Sequence, residues 1–250
     1  MSPLSEVESD LAESSRYYKN VPRIFFTGAN PFVLTTDKLK TLAQMVKKYY
    51  PNCETIGCFG RVTDIYNKSV DDLKELRKLG YDGITFGVET GNDEALAFMN
   101  KGFRSSDTIE QMKKLEEAGI SYNFFYLTGI SGAGHGEYGA KKTAEVFNQL
   151  HPQIIESSML TIYKTSELYQ EIQKGTWKEE SEIEKLAELK ALIENLTIKT
   201  RIVTDGASNL IQVRGNLPHD KKKLTDYLAR LIATADESAL REYRVHLKHL

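Results

Sequence analysis

The sequence predicts an α/β protein with parallel strands, followed by a mainly helical C-terminal part. Three observations lead there. Short apolar runs alternate with stretches of helical periodicity through the first two thirds of the chain. Each of five strand candidates is followed by a helix, the order of a parallel sheet and not of a sandwich. The strands that end clearly do so in small or polar residues, and the ends of parallel strands are where ligands sit.

Taken in order, "SPLSEVESDLAESSRYY" carries Leu4, Val7 and Leu11 at helical spacing. "RIFFTGANP" is an apolar run that breaks at Thr27-Gly28. "TDKLKTLAQMVKKYYP" reads as a helix capped by Thr36 or Asp37 and stopped by Pro51. "ETIGCFGRVTD" is a strand, and "SVDDLKELRKLG" is a helix between a Ser69 cap and Gly80. "DGITFGVETGNDEALAFMNKG" is a buried strand that turns abruptly polar at Glu89 and then enters a helix. "SSDTIEQMKKLEEAG" and "SYNFFYLTG" repeat the pattern, and the glycine-rich "ISGAGHGEYG" leads into "AKKTAEVFNQL". "QIIESSMLTIY" precedes the helical "SELYQEIQKG". From residue 178 the character changes: a charged helix "EESEIEKLAELKALIENL", two short strand candidates around Gly206, and a helical tail. The expected division is therefore residues 1–177 and 178–250, the second part packed on the first.

Composition narrows the function classes. At 250 residues, 40% hydrophobic and 27% charged, the chain can bury a core of one large or two small domains. A net charge of −2 carries no electrostatic footprint for nucleic acid. Lys221-Lys222-Lys223 reads as a solvated helix start. No apolar run approaches the roughly 20 residues of a membrane span, and the N-terminus lacks the apolar core of a signal peptide. A cytoplasmic location is expected. Cys53 and Cys58 are too few for a disulfide framework, and their spacing does not suit a zinc clip.

The chemistry-bearing residues cluster at the strand ends: Thr27-Gly28-Ala29-Asn30, Arg61-Val62-Thr63-Asp64, Glu89-Thr90-Gly91, Thr128-Gly129-Ile130-Ser131 and Thr161-Ile162-Tyr163. Parallel strands would bring these ends to one rim, where glycines admit a ligand to the backbone and Glu89 or Thr90 can bond hydroxyls. For each cluster a plainer reading stands beside this one, a turn glycine followed by a helix cap. "GHGEYG" (Gly134 to Gly139) matches G-x-G-x-x-G, but it does not follow the first strand and lacks the lysine of a phosphate loop. It reads as a lid or connector. In "YNFFYL", Asn123 alternates with apolar residues and would need a partner or a ligand.

The order of these motifs resembles the radical S-adenosylmethionine superfamily, in the branch labelled oxygen-independent coproporphyrinogen oxidase-like or iron–sulfur oxidoreductase. The resemblance rests on "FFTGANP", "FGVETGNDEAL", "MNKG", "YLTGISG" and "SSMLTIYKTSELYQEI", and covers about Ser2 to Gly175. It implies a partial open (β/α) barrel holding five of the family's six strands. It also implies S-adenosylmethionine as cofactor. Gly28, Ala29 and Asn30 would meet the methionine end, Glu89 the ribose, and Gly129, Ser131 and Ile162 the adenosine region. Arg61 would meet the carboxylate, or else pair at the surface.

Two departures qualify the resemblance. The family's C-x3-C-x2-C loop, which binds a [4Fe–4S] cluster through three thiolates, is not in this chain. The chain therefore reads as a truncated portion of a longer enzyme, inactive alone, or as a non-catalytic binding or scaffold domain that kept the barrel. Ala29 and Asn30 also replace the family's glycine–glutamate ending, although backbone carbonyls there can still accept from an ammonium group. Without a preceding strand, Arg23 to Thr27 would form a sheet edge. The isolated chain is then expected to be marginal, to form a homodimer through that edge, or to cover it with its own N-terminal helix. The substrate is not legible.

Overall fold

Side-chain caps and apolar spacing set the elements. Ser69, Ser166 and Ser181 each accept a backbone N–H three residues on, at Asp72, Tyr169 and Glu184, and so start three helices. At Ser69 and Ser181 the acid three residues on bonds back to the cap's own N–H, completing a capping box. The structure, a computed structural model, describes residues 3–28 and 30–247. In chain order the helices and strands are α1 (Leu4–Ser14), β1 (Arg23–Phe26), α2 (Thr36–Tyr49), β2 (Thr55–Gly60), α3 (Val70–Lys78) and β3 (Ile84–Glu89). There follow α4 (Asp93–Phe98), α5 (Ser105–Ala118), β4 (Tyr122–Thr128), α6 (Gly136–Phe147), β5 (Ile154–Met159) and α7 (Glu167–Lys174). The C-terminal elements are α8 (Glu182–Asn195), β6 (Thr200–Val203), β7 (Arg214–Leu217), α9 (Lys221–Thr234) and α10 (Glu237–Val245).

The fold is α/β, with an open, mostly parallel sheet of seven strands in the order β1 to β7. β1 pairs with β2, β2 with β3, and β5 with β6, all parallel, while β7 runs antiparallel to β6. The two strand candidates of the C-terminal part are thus members of the sheet. They lie some residues to either side of Gly206 and not against it. The cap of α2 is Thr35, whose Oγ1 accepts from Lys38 at 3.5 Å, and not Thr36 or Asp37. Thr35 has the extended backbone that lets its side chain fold back over the first turn, whereas Thr36 is already helical.

The chain divides into two compact units, residues 1–87 with 110–123, and residues 88–109 with 124–250. In the first, Phe32, Tyr81 and Phe86 are fully buried, and Phe32 meets Phe86 edge-on at 5.9 Å. Burying a side chain of that size contributes about 2–3 kcal/mol, so Phe32 pins the turn that follows β1. The buried Tyr81 hydroxyl is satisfied by Leu39 O at 2.8 Å. In the second, Phe124, Tyr126 and Thr128, alternate residues of β4, are buried, and Phe124 packs on Phe147 of α6 with ring centres 4.6 Å apart. The strand alternation in "YNFFYL" thus puts these residues on one buried face, with Phe125 and Leu127 on the other, half-buried. Among the described residues no helix is long and apolar enough to cross a membrane.

Candidate functional site

In the first unit the turn after β1 begins with Gly28 at φ 89°, a left-handed conformation that glycine adopts without strain. A Cβ there would touch nothing within 4 Å, so conformation and not crowding selects glycine. Ala29 lies outside the described residues. Asn30 follows, half-buried, its Oδ1 enclosed with no hydrogen-bond partner. An enclosed oxygen without a donor costs about 1–3 kcal/mol, and a donor-rich ligand would relieve it. After β2, Arg61 is exposed, and its backbone N–H donates to Asp64 Oδ2 at 2.7 Å.

A residue that sequence reasoning missed ties these two turns together. The Lys68 ammonium, buried, donates to Phe32 O at 2.9 Å and to Asp64 O at 2.8 Å, and lies 5.0 Å from the centre of the Phe32 ring. Burial holds its pKa below the usual lysine range. The only sequence signal was a lysine just before a helix cap. Asn123, expected to need a partner, donates to Thr85 Oγ1 at 3.3 Å, while its Oδ1 is enclosed without one.

In the second unit β3 ends on Glu89, which has φ 68° although it is not glycine. The turn that follows is organised internally. Thr90 shares a hydrogen bond with Thr143 of α6 at 3.0 Å and accepts from Asn92 N–H at 3.1 Å. Gly91 N–H donates to Thr143 Oγ1 at 2.8 Å, and a Cβ on Gly91 would lie 2.7 Å from Thr143 Cα. Asn92 caps α4 through Glu94 N–H and donates to Ser131 Oγ at 3.4 Å. The plainer cap-and-turn reading therefore accounts for Thr90, Gly91 and Asn92. Glu89 is different: its carboxylate is half-buried and meets only Lys101 Nζ, at 3.6 Å.

The turn after β4 is joined both to this one, through Asn92 and Ser131, and to the end of β5, where Leu160 N–H donates to Thr128 O at 2.9 Å. Gly129, at φ 93°, directs its N–H at Glu188 Oε2 of α8, 2.6 Å away. Its backbone donor thus already has a partner within the chain. Ile162 is half-buried in the irregular segment beyond β5, next to Thr161, whose hydroxyl is enclosed without a partner. A cavity of about 310 Å³ opens beside Ser131, lined also by Asn92, Phe98, His135, Trp177 and Lys178. "GHGEYG" is partly helix, since α6 begins at Gly136. A Cβ on Gly136 would fall 2.6 Å from Glu180 Oε2, and one on Gly139 would collide with Ser131 Oγ. These glycines admit close packing and make no phosphate loop.

From sequence α8 and the residues just before it read only as a charged helix, yet several of those charges are inside the protein. Glu180, Glu182, Lys185 and Glu188 are all buried. Lys185 pairs with Glu179 and Glu182 at 2.7 and 3.3 Å, and α10 supplies Arg241 and Arg244 to the same two acids. Glu188 also receives the Tyr126 hydroxyl.

A sequence-family model described as the radical SAM superfamily matches residues 3–138, more than half of the chain. The chain belongs to the radical SAM superfamily. Members of that superfamily bind S-adenosylmethionine for radical chemistry and generally use a [4Fe–4S] cluster. Among curated relatives, a tRNA uridine(34) acetyltransferase of Methanocaldococcus jannaschii is 25% identical over 145 residues, covering 56% of this chain and 27% of that protein. The heme chaperone HemW of Bacillus subtilis is 25% identical over 97 residues, 39% of this chain and 26% of that protein. The chain spans about a quarter of the length of these two relatives. Among solved structures, an N-terminally deleted Elp3 of Methanocaldococcus infernus superimposes with TM-score 0.63 at 16% identity, over 92% of this chain and 61% of that one. Coproporphyrinogen III oxidase HemN of Escherichia coli gives 0.62 at 17% identity, over 76% and 44%. These likenesses show the fold, a partial radical SAM barrel.

The two cysteines do not fit the family's cluster. Both are buried; Cys53 Sγ donates to Thr55 O at 3.3 Å, and burial pushes the Cys58 thiol up to about 12. Cluster ligands are thiolates, and these are core thiols. Among the described residues no group of three His, Cys, Asp or Glu side chains could hold a metal.

Proposed function

We propose that this chain is the S-adenosylmethionine-binding portion of a radical SAM iron–sulfur oxidoreductase, with Glu89 receiving the ribose hydroxyls. Glu89 carries the reading. Holding a non-glycine residue in the left-handed region costs about 1–3 kcal/mol, and such strain clusters at ligand sites. Every polar neighbour in its turn is bonded within the chain, so Glu89 is the group at this strand end that is left to meet a ligand. A half-buried carboxylate accepts hydroxyl donors more strongly than one in bulk water. The enclosed Oδ1 of Asn30 and the left-handed Gly28 support a methionine-end role for residues 28–30, by backbone and amide acceptors toward the ammonium. Arg61 is assigned to the carboxylate on the strength of its charge and exposure, and Ser131 and Ile162 to the adenosine region. The cavity beside Ser131, with Phe98 and Trp177 in its walls, supports that last assignment. Gly129 belongs to the same region as a shaping residue, since its N–H is bonded to Glu188.

Bound S-adenosylmethionine supplies an adenosyl group for hydrogen abstraction where a reducing cluster serves it. These 250 residues offer no ligand set for that cluster, and no step is assigned through it. The core burial of both cysteines favours a second reading, a non-catalytic binding domain with the barrel retained. Calorimetry separates the binding claim from both: Glu89→Ala is expected to lower S-adenosylmethionine affinity about tenfold or more, from a charged hydrogen bond worth about 1.5–3 kcal/mol. Equal affinities would remove the ribose assignment. The unpaired edge of β1 is proposed to take a second copy of the chain. A cavity of about 640 Å³ beside that edge is lined by apolar residues of α1, including Leu4, Val7 and Leu11, and α1 itself is tied to α2 and the residue that follows it by Glu8–Lys48 and Ser14–Tyr50.

A further inference from the structure

The C-terminal helix α10 carries a polar stripe directed into its own unit. Glu237, Arg241 and Arg244 stand four and three residues apart, which places them on one face of the helix. The Glu237 carboxylate accepts the N–H groups of Glu182 and Ile183, both at 2.9 Å, and so satisfies two donors at the start of α8 from another helix. Arg241 donates to Glu179 and Glu182 at 2.9 and 2.7 Å. Lys185 donates to the same two acids, so each already meets two cations before Arg244 is counted.

Arg244 reaches further. Its side chain is 6% exposed, and its Nε lies 3.3 Å from Glu182 Oε2, although neither atom makes a hydrogen bond. Its short bond is to backbone: Nη2 donates to Leu160 O at 2.7 Å, while Nη1 reaches Ser208 O only at 3.5 Å. A guanidinium buried this deeply is costly unless its donors are used, and the contact that uses them best is the one with Leu160.

Leu160 is where β5 gives way to irregular chain. The strand ends at Met159, and Leu160 N–H donates to Thr128 O at 2.9 Å. With Arg244 on its carbonyl, both backbone polar groups of Leu160 are engaged, one by the end of β4 and one by α10. Next come Thr161, whose enclosed hydroxyl has no partner, and the half-buried Ile162. An enclosed hydroxyl without a partner favours movement of its segment toward water. The two bonds on Leu160 oppose that movement.

We propose that Arg244 is the positioning residue of the strand end Leu160–Ile162, so that α10 takes part in shaping the adenosine side of the ligand site. Glu237 and Arg241 dock the helix on α8 and the residues before it, and Arg244 carries that docking to the strand end. The effect on ligand affinity rests on the adenosine role proposed for Ile162. The tether itself does not, and it is tested without ligand.

Amide exchange at Leu160 in the ligand-free chain reads the tether directly. Arg244→Met, which keeps much of the apolar bulk and removes the donors, is expected to speed that exchange about tenfold. Arg241→Met weakens the same helix docking without touching Leu160, and is expected to leave the rate within about twofold of wild type. An unchanged rate in Arg244→Met overturns the proposal. So does an equal acceleration in both variants, which would make Arg244 one more docking contact. The double variant Glu182→Gln/Arg244→Met removes the buried ion pair as a unit and guards against misfolding of the single one. It is expected to show the same acceleration, and a wild-type rate in it overturns the proposal equally. Calorimetry carries the effect to the ligand: S-adenosylmethionine affinity is expected to fall about fivefold in Arg244→Met and to stay at the wild-type value in Arg241→Met. Faster exchange with unaltered affinity supports the tether and removes the adenosine role of Ile162. If wild type itself fails to bind, the binding reading falls, and the exchange result still decides the tether.

Discussion

Replacing Glu89 by glycine separates backbone strain from side-chain chemistry. At φ 68° an L-residue carries a penalty of about 1–2 kcal/mol that glycine does not. Against that relief, glycine loses about 0.5–1 kcal/mol through the freedom of the unfolded chain. The contact to Lys101, at 3.6 Å with both side chains partly exposed, contributes at most about 1 kcal/mol. Glu89→Gly is therefore expected within about 1 kcal/mol of wild type. Glu89→Ala keeps the strain, loses the same contact, and is expected to be about 1 kcal/mol less stable than the glycine variant. This reverses the ordinary order of the two residues at a strand end. Urea unfolding at fixed pH, read as a change in midpoint at constant slope, measures it. Both variants should lose S-adenosylmethionine affinity alike. An alanine variant as stable as the glycine variant would refute the strain argument, and a glycine variant that binds like wild type would refute the ribose role.

Other expectations follow from the same contacts. Glu180 has a folded pKa raised from 4.5 to about 7 by burial, so its contribution to stability is fully present below about pH 4.5 and lost as pH rises through 7. Wild type is expected to lose about 3 kcal/mol relative to Glu180→Gln between those limits; denaturant unfolding curves that stay parallel across that range would contradict it. Lys68→Met should cost about 2–4 kcal/mol in the same assay, because Phe32 O and Asp64 O are left without their donor. A cost under 1 kcal/mol would mean that relief of the buried ammonium dominates. Anaerobic iron–sulfur reconstitution of the 250-residue chain should yield no stoichiometric cluster, and a stoichiometric one would require the core thiols to open. Sedimentation is expected to show dimers, while a monomer with strong amide-exchange protection along Ile24 to Phe26 would count against the β1-edge contact.

The frame of the fold was legible because its signals are local. Serine caps three residues before an acid, apolar runs of strand length and the glycines closing α3 and α5 all depend on near neighbours. The five strand ends could be named for the same reason. What could not be read was which polar atoms already have partners. Thr90 and Asn92 look like ligand donors in the sequence, yet Thr143 and Ser131, far along the chain, engage them. Gly136 and Gly139 look like a nucleotide fingerprint, yet they admit Glu180 and Ser131. The acids of α8 read only as part of a charged helix, because a sequence with charges every three or four residues does not reveal which stripe a neighbouring strand will cover. Burial of Glu188 becomes apparent only when Tyr126 and Gly129 are placed against it.

The most direct test of S-adenosylmethionine binding is calorimetric titration of the wild-type chain with three compounds in turn: S-adenosylmethionine, S-adenosylhomocysteine and free methionine. One saturable site for the first, competed by the second and not by the third, is the expected result. Absence of saturable heat, or competition by methionine without competition by the adenosyl compound, would contradict an adenosyl site built around Glu89.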